Sequence, residues 1–233
     1  MDFIKLKQYL DDEEILYTEE QISLLKELMK STLETNEKFN LTAIKDEESF
    51  VEKMIFDSAL GIRDLELNDK TVIDVGTGAG FPGMVIRILC PKAKVTLLDS
   101  TKKKIDYLKE FASDYSLKIE GVADRAEDYA RAHREKYDFA FARAVASLNI
   151  LLELIVPLLK VGGEFVAMKG PGFEEEINQS SKALKKLNCS IKSIYETELP
   201  ECHEKRAIIR IIKNKETSKT YPRQYSDIKN KPL

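Results

Sequence analysis

Apolar residues in the first third of the chain recur at helical spacing. Ile22, Leu25, Met29 and Leu33 fall on one face, and Phe39 continues the run. A polar break at Asn40-Leu41-Thr42 follows, and Asp46-Glu47-Glu48 then opens a second amphipathic stretch carrying Phe50, Val51, Met54 and Ile55. From Lys70 the pattern changes, and short β-branched runs alternate with longer helical ones. TVIDVG, KVTLLD, LKIEGV, YDFAFA and GGEFVAMK read as strands; PGMVIRILC, KKKIDYLKEFASDY, AEDYARAH and LNILLELIVPLL read as the helices between them. This alternation predicts an α/β fold whose sheet is mostly parallel, with right-handed crossovers and helices on both faces. After a helix around 173–187, IKSIYETEL and RAIIRIIK lie close enough together to form an antiparallel pair. The expected organisation is a helical extension over 1–69, packed as a cover on one side of the sheet. A ligand-binding domain follows over 70–213, and then a tail over 214–233.

Composition narrows the class. An apolar fraction of 43% in 233 residues suits a soluble globular chain. The start, MDFIKLKQYLDDEEI, lacks a signal-peptide core, no stretch is long enough to span a bilayer, and a cytoplasmic location is expected. Cys90, Cys189 and Cys202 form no CxxC pair, so neither a disulfide framework nor a metal site is signalled. Net charge is −3, but it is unevenly spread. Residues 1–60 carry a balance of −8, whereas 213–233 carry +4. With Lys102-Lys103-Lys104 between them, the basic tail raises the prospect of nucleic-acid contact beside the plainer reading of a solvated tail. Positive charge at a helix start is locally unfavourable, which favours a functional demand on the lysine triplet.

The segment from Val72 to Gly83, VIDVGTGAGFPG, leaves a predicted strand and enters a predicted helix. Glycines there permit backbone torsions and close ligand approach. Gly78 to Gly83 also satisfies GxGxxG, so a dinucleotide has to be considered. Asp74 argues against it, because a carboxylate just before the turn repels a pyrophosphate. A ligand with an amino-acid ammonium and no phosphate suits Asp74, Gly76, Gly78 and Gly80, and S-adenosylmethionine is such a ligand. Asp99 ends the next strand, placed to accept ribose hydroxyls, and backbone groups of Ala126 and Glu127 are candidate partners for adenine. The fourth strand ends at Arg143, a candidate for the cofactor carboxylate or for an acceptor base. No Asn/Asp-Pro-Pro-aromatic turn and no strand-end cysteine accompany it, which points to an acceptor needing little chemical help. N7 of guanine is one: it has a lone pair and no proton to lose. Arg143 would then position, with no general base expected. Lys169-Gly170 follows the fifth strand at the edge where ligands gather.

Taken together, DVGTGAGFPG, LLDSTKKK, ADRAED, ARAVASL and VAMKG, with NLTAI, FDSAL and the terminal YPR, resemble the RsmG (GidB) family over nearly the whole chain. The resemblance implies a class I methyltransferase, Rossmann-like, with an antiparallel C-terminal strand and an N-terminal helical extension. It further implies S-adenosylmethionine as cofactor and guanine N7 of bacterial 16S rRNA, near the decoding site, as target. On this resemblance Gly76, Phe81, Ala126, Glu127 and Arg143 contact the cofactor and Asp99 its ribose, while Lys102, Lys103, Arg143, Lys169 and Arg223 supply positive charge for RNA. The partner is 16S rRNA or a small-subunit particle; no membrane, metal or obligate protein partner is implied, and a monomer is expected. Met54, Lys104, Ser226 and Ile228 depart from the family pattern. A methyltransferase for a small molecule or protein, and a binding module without catalysis, are the rival classes.

Overall fold

The period-two segments become the strands of one seven-stranded sheet in the computed structural model, which describes residues 1–233. They are β1 (Thr71–Val75), β2 (Lys94–Asp99), β3 (Ile119–Ala123), β4 (Tyr137–Arg143), β5 (Leu159–Lys169), β6 (Cys189–Glu198) and β7 (Lys205–Lys213). Their spatial order is β3-β2-β1-β4-β5-β7-β6. The first five are parallel. β7 runs antiparallel to both neighbours, so the expected hairpin partner of β6 inserts between β6 and β5. The short connection from Glu198 to Lys205 permits only such a reversal, since a parallel return needs a long crossover.

Strand alternation decides which helices each residue meets. On β1, Val72 joins the core half that contains the N-terminal helices α1 (Phe3–Asp12) and α2 (Glu19–Asn36), together with α5 (Gly83–Leu89) and α6 (Lys102–Asp114). Ile73 and Val75 join the other half, built on α7 (Ala126–Ala132), α8 (Leu148–Ile155), α9 (Phe173–Gln179), α10 (Ser181–Lys186) and α11 (Tyr225–Asn230). On β4, Phe141 faces the first half and Ala140 and Ala142 the second. Arg143 at the end of that strand therefore emerges on the side of the N-terminal helices. Their acidic residues point outward while Leu6, Leu10, Leu25, Leu28 and Met29 are buried, as the period predicts. A capping box of Thr18 and Gln21 starts α2.

Two expected helices are more broken than the sequence suggests. The stretch after Asp46 runs as α3 (Glu47–Phe50), a π-helical segment Val51–Phe56, and α4 (Asp57–Leu60). The helix expected around 173–187 divides into α9 and α10 at Ser180, whose buried hydroxyl donates to the Glu176 carbonyl. The basic tail is also structured, because α11 buries Ile228 completely. No helix is long and apolar enough to cross a membrane.

Candidate active site at the carboxyl edge of the sheet

β1, β2 and β4 all end at one edge, and there the glycine turn bounds a cavity of about 970 Å³. That is the upper end of the ~300–1,000 Å³ typical of small-molecule sites. Gly76 and Gly78 hold φ of +74° and +59°, torsions that side chains with a β-carbon adopt at a cost. The Gly76 and Thr77 amides donate to the Leu98 carbonyl at 2.8 and 3.0 Å. The Gly78 amide donates to Oδ2 of Asp99 at 3.0 Å, while Thr101 N donates to its Oδ1 at 2.8 Å. Asp99 thus fixes the turn and lines the cavity at the same time.

Asp74 occupies a different place from the one the sequence suggests. It is fully buried under the turn and does not line the cavity. Its Oδ2 accepts from Thr77 Oγ1 at 2.6 Å and from Gly83 N at 2.8 Å, tying the loop to the start of α5. Its Oδ1 has no partner. Burial pushes its carboxyl up to about 6, against the pull of those two donors and of Arg143. Asp74 thus serves as a tie beneath the turn, because β1 alternation aims this side chain at α5. Gly80 likewise faces inward, where a β-carbon would meet Leu108 and Met84, and it does not line the cavity. At Gly78 a β-carbon would have only the Gly76 carbonyl, 3.9 Å away, and would otherwise project into open space.

The remaining expected cofactor residues do converge. Gly76, Gly78, Phe81, Asp99, Ala126, Glu127 and Arg143 all line this one cavity. Arg143 is held from three sides by the broken helix. Its Nη1 donates to the Lys53 carbonyl at 2.6 Å and to Asp57 Oδ2 at 3.3 Å, and Nη2 approaches Met54 Sδ at 3.2 Å. Burial lowers its pKa, and Asp57 and Asp74 oppose that. π-Helical segments concentrate at functional sites, and here one presents Lys53 and Met54 to the arginine. Asp57 Oδ2 also receives Arg206 Nε at 3.1 Å, whereas Asp57 Oδ1 is buried without a partner.

The expected basic residues are less united. Lys169 lines the cavity but is 8% exposed, held by Glu176 at 2.7 Å and by the Ala146 carbonyl at 2.6 Å. Lys102 and Lys103 are exposed beside the cavity, outside its wall, and Lys102 pairs with Asp106. Lys104, next along α6, is the member of the triplet that lines it. Arg223 does not join this surface. It forks onto the fully buried Glu153 carboxylate at 2.8 and 2.7 Å, and its backbone N–H donates there too, so it staples the tail to α8. Its charge faces Glu153, and it is not among the residues that line the cavity.

Arg206, Arg125 and Tyr225 line the cavity without having been singled out from sequence. An antiparallel strand begins at the edge where parallel strands end, which puts Arg206, near the start of β7, beside Arg143. Arg125 lies over the Tyr225 ring at 4.8 Å, bringing the tail helix to the cavity wall.

S-adenosylmethionine fits this site on three observations. The turn offers open space above Gly78, a carboxylate stands at the second strand end, and apolar Phe81 and Ala126 alternate with polar groups in one large cavity. Comparison with known proteins agrees. A family model described as rRNA small subunit methyltransferase G matches residues 21–209. A ribosomal RNA small subunit methyltransferase G from Fusobacterium nucleatum is 41% identical, covering 97% of this chain and 98% of that protein. One from Ligilactobacillus salivarius is 37% identical, covering 98% of each. Among solved structures, M. jannaschii TYW2 in complex with AdoMet is similar with a TM-score of 0.58 at 12% identity, over 73% of this chain and 79% of that one. A precorrin-6y C5,15-methyltransferase from Geobacter metallireducens is similar with a TM-score of 0.51 at 14% identity, over 67% and 86%. These two likenesses concern the fold alone, and the family match and the two relatives go further: the chain belongs to the rRNA small subunit methyltransferase G family.

Proposed function

We propose that this S-adenosylmethionine-dependent rRNA methyltransferase modifies N7 of a guanine in 16S rRNA, near the decoding site. Asp99 would hold the ribose, the Gly76–Gly78 backbone the amino-acid end, and Ala126 and Glu127 the adenine edge. The bound cofactor supplies an electrophilic methyl group.

One observation carries the choice of acceptor. Five carboxylates line the cavity, and each is tied to a protein donor through at least one oxygen. Asp57 is held by two arginines, Asp99 by two backbone amides, and Asp124 by the Arg125 amide. Glu127 is held by the Arg125 side chain and Glu176 by Lys169. No histidine or cysteine lines the wall. An acceptor with a bare lone pair needs no general base, which suits a wall whose carboxylates already serve as hydrogen-bond anchors. Catalysis then rests on alignment in a shaped cavity. The unpartnered Asp57 Oδ1 suits the N–H donors of a guanine Watson–Crick edge, with Arg143 or Arg206 available to O6. Lys102, Lys103 and Lys104 would meet phosphates beside the opening, and Lys169 would hold the floor.

In this reading residues 70–213 hold the cofactor, the helical extension over 1–69 covers the sheet and meets RNA only where Asp57 joins the cavity wall, and the protein works as a cytoplasmic monomer. Mass mapping of 16S RNA from cells with and without the protein tests it, alongside methyl transfer in vitro to 16S RNA and to small acceptors. One 7-methylguanine lost with the protein, and restored in vitro, is expected. An unchanged methylation map together with transfer to small acceptors overturns it.

A further inference from the structure

At the opposite end of the same strands lies a second cavity of about 550 Å³. Arg87, Lys92, Lys94, Lys118 and Lys136 line it, against Glu120 as the single lining carboxylate. The four lysines are exposed, and none of the five cations takes part in an ion pair, although carboxylates outnumber Lys and Arg in the whole chain. Arg87 is the telling member. It is 8% exposed, donates Nη1 to the Pro91 carbonyl at 2.5 Å, and leaves its buried Nε without any partner. A buried guanidinium without a counter-charge is costly, and an anion in the cavity would supply the missing charge. The cavity floor is a hydrogen-bonded row in which the Tyr129 and Tyr137 hydroxyls lie 2.7 Å apart, Tyr137 reaches Thr96, and Thr96 reaches Glu120. That row keeps the wall polar and rigid.

We propose that this cavity is a binding site for a phosphate group, gripped by Arg87 with Lys94 and Lys136. Arginine's planar fork matches phosphate oxygens, and the lysines add charge without demanding fixed geometry. The site is separate from the methyl-transfer cavity: β1 spans from Thr71 here to Val75 there, and β4 from Tyr137 to Arg143. At about 3.3 Å per residue the two lie roughly 13–20 Å apart. Both flank the edge strand β3, whose first residues line this cavity and whose following loop lines the other. The phosphate can thus come from an RNA strand passing along that edge or from a free phosphorylated compound. The inference does not depend on which atom is methylated.

The test uses the full chain saturated with S-adenosylhomocysteine, which occupies the first cavity. Wild type, Lys94→Gln/Lys136→Gln and the control Lys182→Gln/Lys185→Gln on α10 are titrated with inorganic phosphate and, separately, with a 16S RNA fragment. Arg87→Gln is added if it folds. Phosphate affinity should fall at least tenfold in Lys94→Gln/Lys136→Gln, with the control and the S-adenosylhomocysteine affinity unchanged. A matching loss of RNA affinity beyond the control identifies an RNA phosphate. Loss of phosphate binding with RNA affinity intact identifies a free phosphorylated ligand. If neither affinity differs between Lys94→Gln/Lys136→Gln and the control, the proposal is overturned.

Discussion

Gly78 and Gly83 stand five residues apart in one turn and do different jobs. A side chain at Gly78 would grow into the cavity, so Gly78→Val should abolish S-adenosylmethionine binding by calorimetry while the protein still melts cooperatively. At Gly83 a β-carbon would lie 2.2 Å from Leu97 Cδ2 and 2.8 Å from Asp74 Oδ2, so Gly83→Ala should instead lower stability by about 1–3 kcal/mol. Asp74 gives a pH signature. Its folded value of about 6 lies above the ordinary 3.8, so the folded state holds this proton more tightly. The associated stability is present below about pH 4 and disappears as pH rises through 6. Urea unfolding should therefore show wild type losing on the order of 2–3 kcal/mol relative to Asp74→Asn between pH 4 and 7. A pH-independent difference would show that the carboxyl is not perturbed. Sequence identifies the carboxylate but not its aim: the same residue serves a ligand or a helix start, and only the strand's face decides.

Helices and strands were legible wherever their period was long and unbroken, as in α2, α6 and the five parallel strands. The π-helical segment at Val51–Phe56 was not, because a shift from four-residue to five-residue hydrogen bonding leaves the apolar spacing almost unchanged. Nor was the anchoring of the tail. Lys and Arg on a C-terminal segment look alike in sequence whether they face solvent or a buried acid, and Glu153 lies far away on the apolar helix α8. Arg223→Ala strands that buried carboxylate. Allowing for the arginine's own 27% exposure, it should cost about 2–3 kcal/mol in a chemical denaturation series. The salt dependence of RNA binding should stay as it was. If it flattened while stability held, Arg223 would be a phosphate contact after all.

Across the molecule, net charge of −3 conceals a separation in which acidic helices cover one face and lysines gather beside the cavity. The triplet at α6 should dominate the electrostatics of RNA binding. Lys103→Ala and Lys104→Ala should each flatten the plot of log affinity against log salt by about 0.7, with cofactor affinity nearly constant. Lys102→Ala should act similarly, since its exposed pairing with Asp106 is easily exchanged. Unchanged slopes in all three would move the RNA to another surface. The insertion of β7 between β5 and β6 has a consequence for how the protein is made. As the chain leaves the ribosome, β6 emerges with no strand to pair with, and the β5 edge stays open until Lys205–Lys213 follows. Arg206 arrives only then, so the wall around Arg143 and Asp57 is among the last parts to close. A nascent chain stalled before residue 205 should be the aggregation-prone species, and the methyl-transfer site should come into being only when synthesis is almost over.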